Sequence, residues 1–211
     1  MRRLPVYLVL DVSGSMTGEP IQAVRNGVQV LVSTLRQDPQ ALETAYLSVI
    51  TFDESANQVV PLTDLASFQP PDLQPGSTTA LGAALKLTKD CIEREVQKTS
   101  GDQKGDWKPL VFIMTDGLPT DDWQAGLQEF QSAKVGMVIA CAAGPGADAN
   151  MLKSVTNDVV SLDTADTATI SSFFKWVSAS IATTSTKVEL SKTEASSLSE
   201  LPPPPPEITL V

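Results

Sequence analysis

At 211 residues with 42% hydrophobic side chains, the chain can bury the core of one sizeable domain, and its composition is that of a globular protein rather than a disordered or fibrous one. A formal net charge of −10 and a pI near 4.4 argue against nonspecific binding to nucleic acid or to anionic membrane surfaces, because both repel it. No apolar stretch approaches the length of a transmembrane helix.

Met1-Arg2-Arg3 before an apolar run resembles the start of a secretion signal, but the run is short, ends at Asp11 and lacks a small-residue cleavage pattern. Val6 to Leu10 carries no polar residue, which predicts a strand buried on both faces, as in a parallel sheet. Asp11-Val12-Ser13-Gly14-Ser15 follows as a tight turn bearing a carboxylate and two hydroxyls, all hard oxygen donors. From Glu19-Pro20, apolar residues recur at three- and four-residue spacing through Leu35, predicting an amphipathic helix that ends before Pro39. Ala45 to Phe52 reads as a second strand. Gln58 to Leu62 reads as a short third strand, joined to it too tightly for a parallel crossover and therefore antiparallel.

Residues 63–76 are proline-containing loop, and Ser77-Thr78-Thr79 leads into a helix over Ala80 to Val96, where hydroxyls commonly cap. Leu110 to Met114 is another buried strand, followed at once by Thr115-Asp116-Gly117. A helix over Trp123 to Ser132 is weakened at Gly126. A strand over Val135 to Ala142, a short helix over Ala149 to Val155, a strand over Val159 to Leu162 and a helix over Ala168 to Ala182 complete the alternation. This order predicts an α/β fold: a doubly wound, Rossmann-like, mostly parallel six-stranded sheet with one short antiparallel edge strand and helices on both faces. The expected division is a domain over 1–183 and a Ser/Thr-rich, polyproline tail over 184–211, with little core of its own. Pro202, Pro203, Pro204, Pro205 and Pro206 favour a stiff rod of roughly 15 Å and are candidate partner-binding residues. The Ile208–Val211 run could add to a sheet edge, in trans or on its own domain.

Asp-x-Ser-x-Ser, a downstream threonine and a later Thr-Asp-Gly, in this order, together resemble the metal-ion-dependent adhesion site of von Willebrand factor type A domains, over roughly residues 4–182. The resemblance implies metal ligation by Ser13, Ser15 and Thr79, with Thr78 as the fallback threonine, and participation of Asp11 and Asp116 mainly through coordinated waters. The implied ion is Mg²⁺, with Mn²⁺ and Ca²⁺ as alternatives, and the implied partner is a protein that offers an Asp or Glu. The runs Ser13 to Ile21 and Thr115 to Trp123 more narrowly resemble the bacterial tellurium-resistance-associated, TerY-like type A proteins. That implies a cytoplasmic stress-response or phage-defence phosphosignalling role alongside a protein kinase and a protein phosphatase. Members of that group often carry a cysteine-rich metal-binding extension. This sequence has the polyproline segment instead.

Each residue also has an ordinary structural reading. Asp11 alone reads as a turn cap and Thr79 as a helix cap; Asp53, Asp121 and Asp122 read as turn residues before outer-sphere groups. Trp107 and Trp123 read as packing or as a partner-facing rim. Cys91 and Cys141 lie far apart and the chain has no histidine, so a closed zinc site of the usual composition is excluded and both read as buried thiols. The rival function is a Mg²⁺-dependent phosphatase. It lacks the second aspartate two residues after Asp11, where Ser13 stands, and any histidine for general-base work. The expected function is thus non-enzymatic, a metal-dependent protein-interaction module that does not bind nucleic acid or membrane, with a scaffold acting through the polyproline tail as a further alternative.

Overall fold

The computed structural model describes residues 2–194 and 196–211, so Met1 of the leader-like start lies outside it. The chain runs β1 (Leu4–Asp11), α1 (Glu19–Leu35), α2 (Pro39–Thr44), β2 (Ala45–Phe52), β3 (Ala56–Asp64), α3 (Leu81–Glu95) and β4 (Leu110–Thr115). It continues through α4 (Trp123–Phe130), β5 (Met137–Ala143), α5 (Ala149–Val155), β6 (Asp158–Leu162), α6 (Thr167–Leu190) and β7 (Ile208–Leu210). Every residue of β1 and of β4 is buried, as their unbroken apolar runs require when helices cover both faces of the sheet.

The strands lie in the order β3-β2-β1-β4-β5-β6-β7. β2/β3 and β6/β7 are antiparallel and the remaining pairs are parallel. The predicted doubly wound sheet and its antiparallel β3 edge are therefore present, although β3 runs for nine residues instead of being short, and a seventh strand adds a second antiparallel edge. α1, α2 and α6 bury their apolar sides on one face of the sheet and α3, α4 and α5 on the other. Chain order runs from β1 towards β2 on one side and returns to β4 on the other, so β1 and β4 flank the point where the winding reverses. A crevice opens there, at the carboxyl ends of the strands, in sheets of this kind.

Two features differ from the sequence expectation. α2 follows directly on Asp38, whose carboxylate accepts the Ala41 N–H at 2.8 Å, and a helix this short leaves no periodicity to detect. At the other end, α6 runs past residue 183 to Leu190, with Thr184, Ser185 and Val188 on its buried side. Thr184 returns its hydroxyl to the helix, donating from Oγ1 to the Ser180 carbonyl at 2.8 Å, while the buried Ser185 hydroxyl has no partner among the described residues.

The polyproline segment is laid against α6, where the Trp176 indole N–H donates to the Pro202 carbonyl at 2.8 Å. Leu201 and Ile208 are buried in the same core as α1 and α6. The Ile208–Leu210 run has added to its own domain's β6 edge, one of the two outcomes open to it. The thiols of Cys91 and Cys141 are free and buried. Among the described residues, no helix is long and apolar enough to cross a membrane.

Candidate functional site

β1 ends in Asp11 and β4 in Thr115, side by side at the winding reversal, with Leu10 and Met114 paired just before them. The Asp11 carboxylate is buried, and both of its oxygens are taken. Oδ1 accepts the Ser13 N–H at 2.7 Å, and Oδ2 accepts the Thr115 hydroxyl at 2.6 Å. Burial pushes its pKa up and the charge of Asp116 adds to that; the donors from Ser13 and Thr115 oppose it. Asp11 is thereby locked in place as the brace of the turn.

From that turn, Ser15 projects outward and donates to Asp116 Oδ1 at 2.6 Å. Its single proton is thus committed, so the 3.1 Å contact between the Ser13 and Ser15 hydroxyls has Ser13 as the donor. Ser13, Ser15 and Asp116 form one hydrogen-bonded chain, and residues 101 apart in sequence meet at its end. The Asp116 pKa is raised by burial, against the lowering effect of the Ser15 hydroxyl.

Thr79 comes from the segment that enters α3. A cap is not its role: the N-cap residue is Ala80, with no side-chain cap bond. The helix's first amides are satisfied from another loop, where Asp121 accepts Gly82 N–H at 3.0 Å and Ala83 N–H at 2.9 Å. Thr120 grips the Thr79 backbone twice. Its hydroxyl accepts the Thr79 N–H at 3.0 Å and its N–H donates to the Thr79 carbonyl at 2.9 Å. The Thr79 hydroxyl makes no hydrogen bond among the described residues and is left free for a ligand. A β-carbon placed on Gly117 would lie 3.6 Å from Thr79 Oγ1 and 3.9 Å from Ser15 Oγ. Both hydroxyls therefore border the same small space above Gly117.

All five residues singled out from sequence are brought together. Thr78 is exposed while Thr79 is buried, which favours the residue preferred. Thr115, Thr120 and Asp121 complete the support; the first two were not singled out as site residues from sequence, and Asp121 was read as a turn residue before an outer-sphere group. Asp121 and Asp122 act as helix caps, the latter accepting Ala125 N–H at 3.1 Å, and Asp53 closes its own turn by accepting Ser55 N–H at 3.2 Å. Trp107 is at the other end of the sheet, buried, with the Arg2 guanidinium 3.5 Å over its ring. Trp123 packs against the core of the α3 face. Neither forms a rim at the site. Losing the cap in Asp121→Ala is expected to cost about 1–2 kcal/mol of stability. It should also loosen Thr79, read as a lower urea midpoint together with weaker Mg²⁺ binding by calorimetry.

The donor set suits a hard divalent cation. It offers neutral hydroxyl oxygens, two neighbouring carboxylates and a space bordered by the Ser15 and Thr79 hydroxyls. Among the described residues no group of three His, Cys, Asp or Glu side chains forms a metal cluster, consistent with a site built chiefly from Ser and Thr.

A family model described as von Willebrand factor type A domain matches residues 6–175. No curated protein sequence matches the chain. Among solved structures, proximal thread matrix protein 1 from the mussel byssus aligns at 20% identity with a TM-score of 0.64, over 86% of this chain and 48% of that one. The same protein with a zinc-occupied MIDAS motif, again 20% identical over 86% and 48% of the two chains, gives 0.62. A von Willebrand factor type A protein from Catenulispora acidiphila aligns at 16% identity with a TM-score of 0.64, over 86% of this chain and 43% of that one. The chain spans about half the length of these proteins, and at such identities the likeness is one of fold.

Proposed function

The chain belongs to the von Willebrand factor type A domain family, and from that premise we propose that it is a metal-dependent protein-interaction module whose metal is held by Ser13, Ser15 and Thr79, with Asp11 and Asp116 behind them. The observation that carries this reading is the Ser13–Ser15–Asp116 hydrogen-bonded chain beside a free Thr79 hydroxyl. The proposed ion is Mg²⁺; Mn²⁺ and Ca²⁺ satisfy the same oxygen chemistry, and a relative is described with zinc in its MIDAS motif. When bound, the cation supplies a Lewis-acidic position that a partner's carboxylate completes.

The protein's own part is to keep neutral hydroxyls towards that position and to hold both carboxylates in fixed places. Asp11 is braced by Ser13 N–H and Thr115, and Asp116 is oriented by Ser15. That division of labour favours binding over catalysis. Both oxygens of Asp11 are engaged, so a phosphatase-type nucleophile is not exposed, and the chain has no histidine to serve as a base.

The narrower reading is a cytoplasmic, TerY-like role in bacterial tellurium-resistance-associated stress or phage-defence signalling, with a protein kinase and a protein phosphatase as partners. It is supported by the Ser13–Ile21 and Thr115–Trp123 runs. Pro202 to Pro206 remain candidate partner-binding residues through the sides not laid on α6; Pro203 and Pro206 are exposed.

Mg²⁺ titration followed by thermal unfolding tests the site. Ligand at a hundred times its dissociation constant stabilises a fold by about 2.7 kcal/mol, so a rise in Tm of roughly 5–10 °C is expected for a domain of this size. Ser15→Ala removes one hydroxyl and unties Asp116. Because Ser15 is exposed, its metal-free stability should stay within about 1 kcal/mol of the parent, while the Mg²⁺-induced rise is lost. Partner capture that persists unchanged in excess chelator would overturn the proposal.

A further inference from the structure

The loops that meet at the carboxyl ends of the strands are 11–18, 53–55, 76–80, 116–122, 144–148 and 163–166. Every formally charged residue on them is an Asp or a Glu. Lysines stand on loops at the opposite ends of the strands: Lys98, Lys104 and Lys108 between α3 and β4, and Lys134 between α4 and β5. Glu54, Asp122 and Asp163 are exposed on the site's side.

That charge pattern bears on how a partner's carboxylate can approach. A carboxylate approaching the Ser13–Ser15–Asp116 site meets loops whose formal charges are all carboxylates, a repulsion that salt screens only in part. A bound divalent ion offsets Asp11 and Asp116 and leaves the outer ring uncompensated. An isolated acidic peptide is disfavoured there, and one that carries its own cations is not. The same face also holds one large apolar side chain in the open. Leu118, next but one to Asp116, is 58% exposed. It is the only exposed large hydrophobic among the described residues of these loops.

We propose that the partner presents its metal-seeking Asp or Glu from a basic surface, flanked by Lys or Arg and beside an apolar side chain that covers Leu118. This rests on the metal-dependent reading of the site and narrows it. The lysines or arginines pair with Glu54, Asp122 and Asp163, and burial of Leu118 supplies a central contact inside that polar rim.

The test uses the full chain and labelled short peptides, with binding read by fluorescence anisotropy in Mg²⁺ or in chelator. The parent peptide has one glutamate next to a leucine and flanked by lysines. Its variants replace the lysines by glutamates, the central glutamate by glutamine, or the leucine by glycine. In Mg²⁺ the lysine-flanked peptide is expected to bind at least about tenfold tighter than the glutamate-flanked one, an advantage that shrinks between about 0.05 and 0.5 M salt. The glycine variant should bind several-fold more weakly, and Leu118→Ala should erase that difference.

Glu54→Lys with Asp163→Lys should cost the lysine-flanked peptide about tenfold while the Mg²⁺-induced rise in Tm is kept. Equal binding of the lysine- and glutamate-flanked peptides, or binding of neither, overturns the proposal. Lysine-flanked binding that is indifferent to chelator and to the glutamine replacement overturns the metal-dependent reading instead, and the two failures are told apart by which arm is flat.

Discussion

Replacing Gly126 by alanine is expected to destabilise the protein by about 2 kcal/mol or more, although alanine is the better helix former by about 1 kcal/mol. α3 and α4 cross at a pair of glycines. A β-carbon on Gly126 would lie 2.2 Å from the Gly82 carbonyl oxygen and 2.5 Å from Gly82 Cα. Reciprocally, a β-carbon on Gly82 would lie 2.7 Å from the Asp122 carbonyl oxygen. The obstacles to a β-carbon on Gly126 are all backbone of Gly82 in α3, so no side chain can swing aside, and the helices themselves must part. For a domain of this length the melting temperature should fall by about 4–8 °C.

A second effect singles this variant out. Asp121, just ahead of α4, holds the N–H groups of Gly82 and Ala83, and Thr120 holds Thr79. Separating the helices therefore shifts Thr79 against Asp116. Mg²⁺ affinity should drop at least about tenfold, measured by calorimetry well below the new melting temperature. Unchanged stability and affinity would mean that the two helices part freely and that Thr79 is not positioned by their contact.

That glycine also shows where the sequence stops being legible. Read along the chain, Gly126 is a weak point in a helix. Its reason for being there is Gly82, more than forty residues away, and only the packed structure brings the two together. The same divide separates the site residues found from those missed. Asp11, Ser13, Ser15, Thr79 and Asp116 each follow directly on a strand or precede a helix, in segments whose apolar patterns are long and unmixed, so local pattern placed them and the family resemblance joined them into one candidate site. Thr120 and Asp121 act across space on the entrance of α3, and nothing in their own segment records that. Thr115 was seen as part of a Thr-Asp-Gly run, but its bond to Asp11 Oδ2 depends on β1 and β4 being neighbours.

At the carboxyl end the difficulty was compositional. From residue 184 on, the serines and threonines look like a polar tail because their hydroxyls are counted as solvent-seeking. In the helix, Ser178, Ser180 and Thr184 return their hydroxyls to carbonyls four residues back, and such residues can be buried at small cost. The three-residue strand after the five prolines is too short for a periodicity test to choose between pairing in trans and pairing on its own domain.

Deleting residues 201–211 should consequently cost stability, where a free tail would cost none. Leu201 and Ile208 are 8% and 4% exposed, and burying such a side chain is worth about 1.5–3 kcal/mol. The deletion also removes the β6/β7 ladder, the Val211 N–H to Val159 carbonyl bond and the acceptor for the Trp176 indole. Against these stands the entropy of ordering the segment, which is smaller than for an ordinary chain because each proline has its φ already set.

The balance is expected to be a loss of roughly 2–3 kcal/mol, or about 5–9 °C in Tm. Trp176→Phe should remove about 1 kcal/mol of it by itself. The truncation uncovers the edge of β6, whose Val159 and Val160 are buried and apolar, so concentration-dependent association should appear in sedimentation. The Mg²⁺-induced rise in Tm should survive, because β1 and β4 are separated from β7 by β5 and β6. A truncated protein that melts with the parent would show that the strap contributes no net stability. One that also loses its Mg²⁺ response would place the strap within reach of the site. Loss of stability with the Mg²⁺ response intact is the result the contacts require: the carboxyl-terminal segment closes the sheet, and the residues of the proposed metal site are positioned without it.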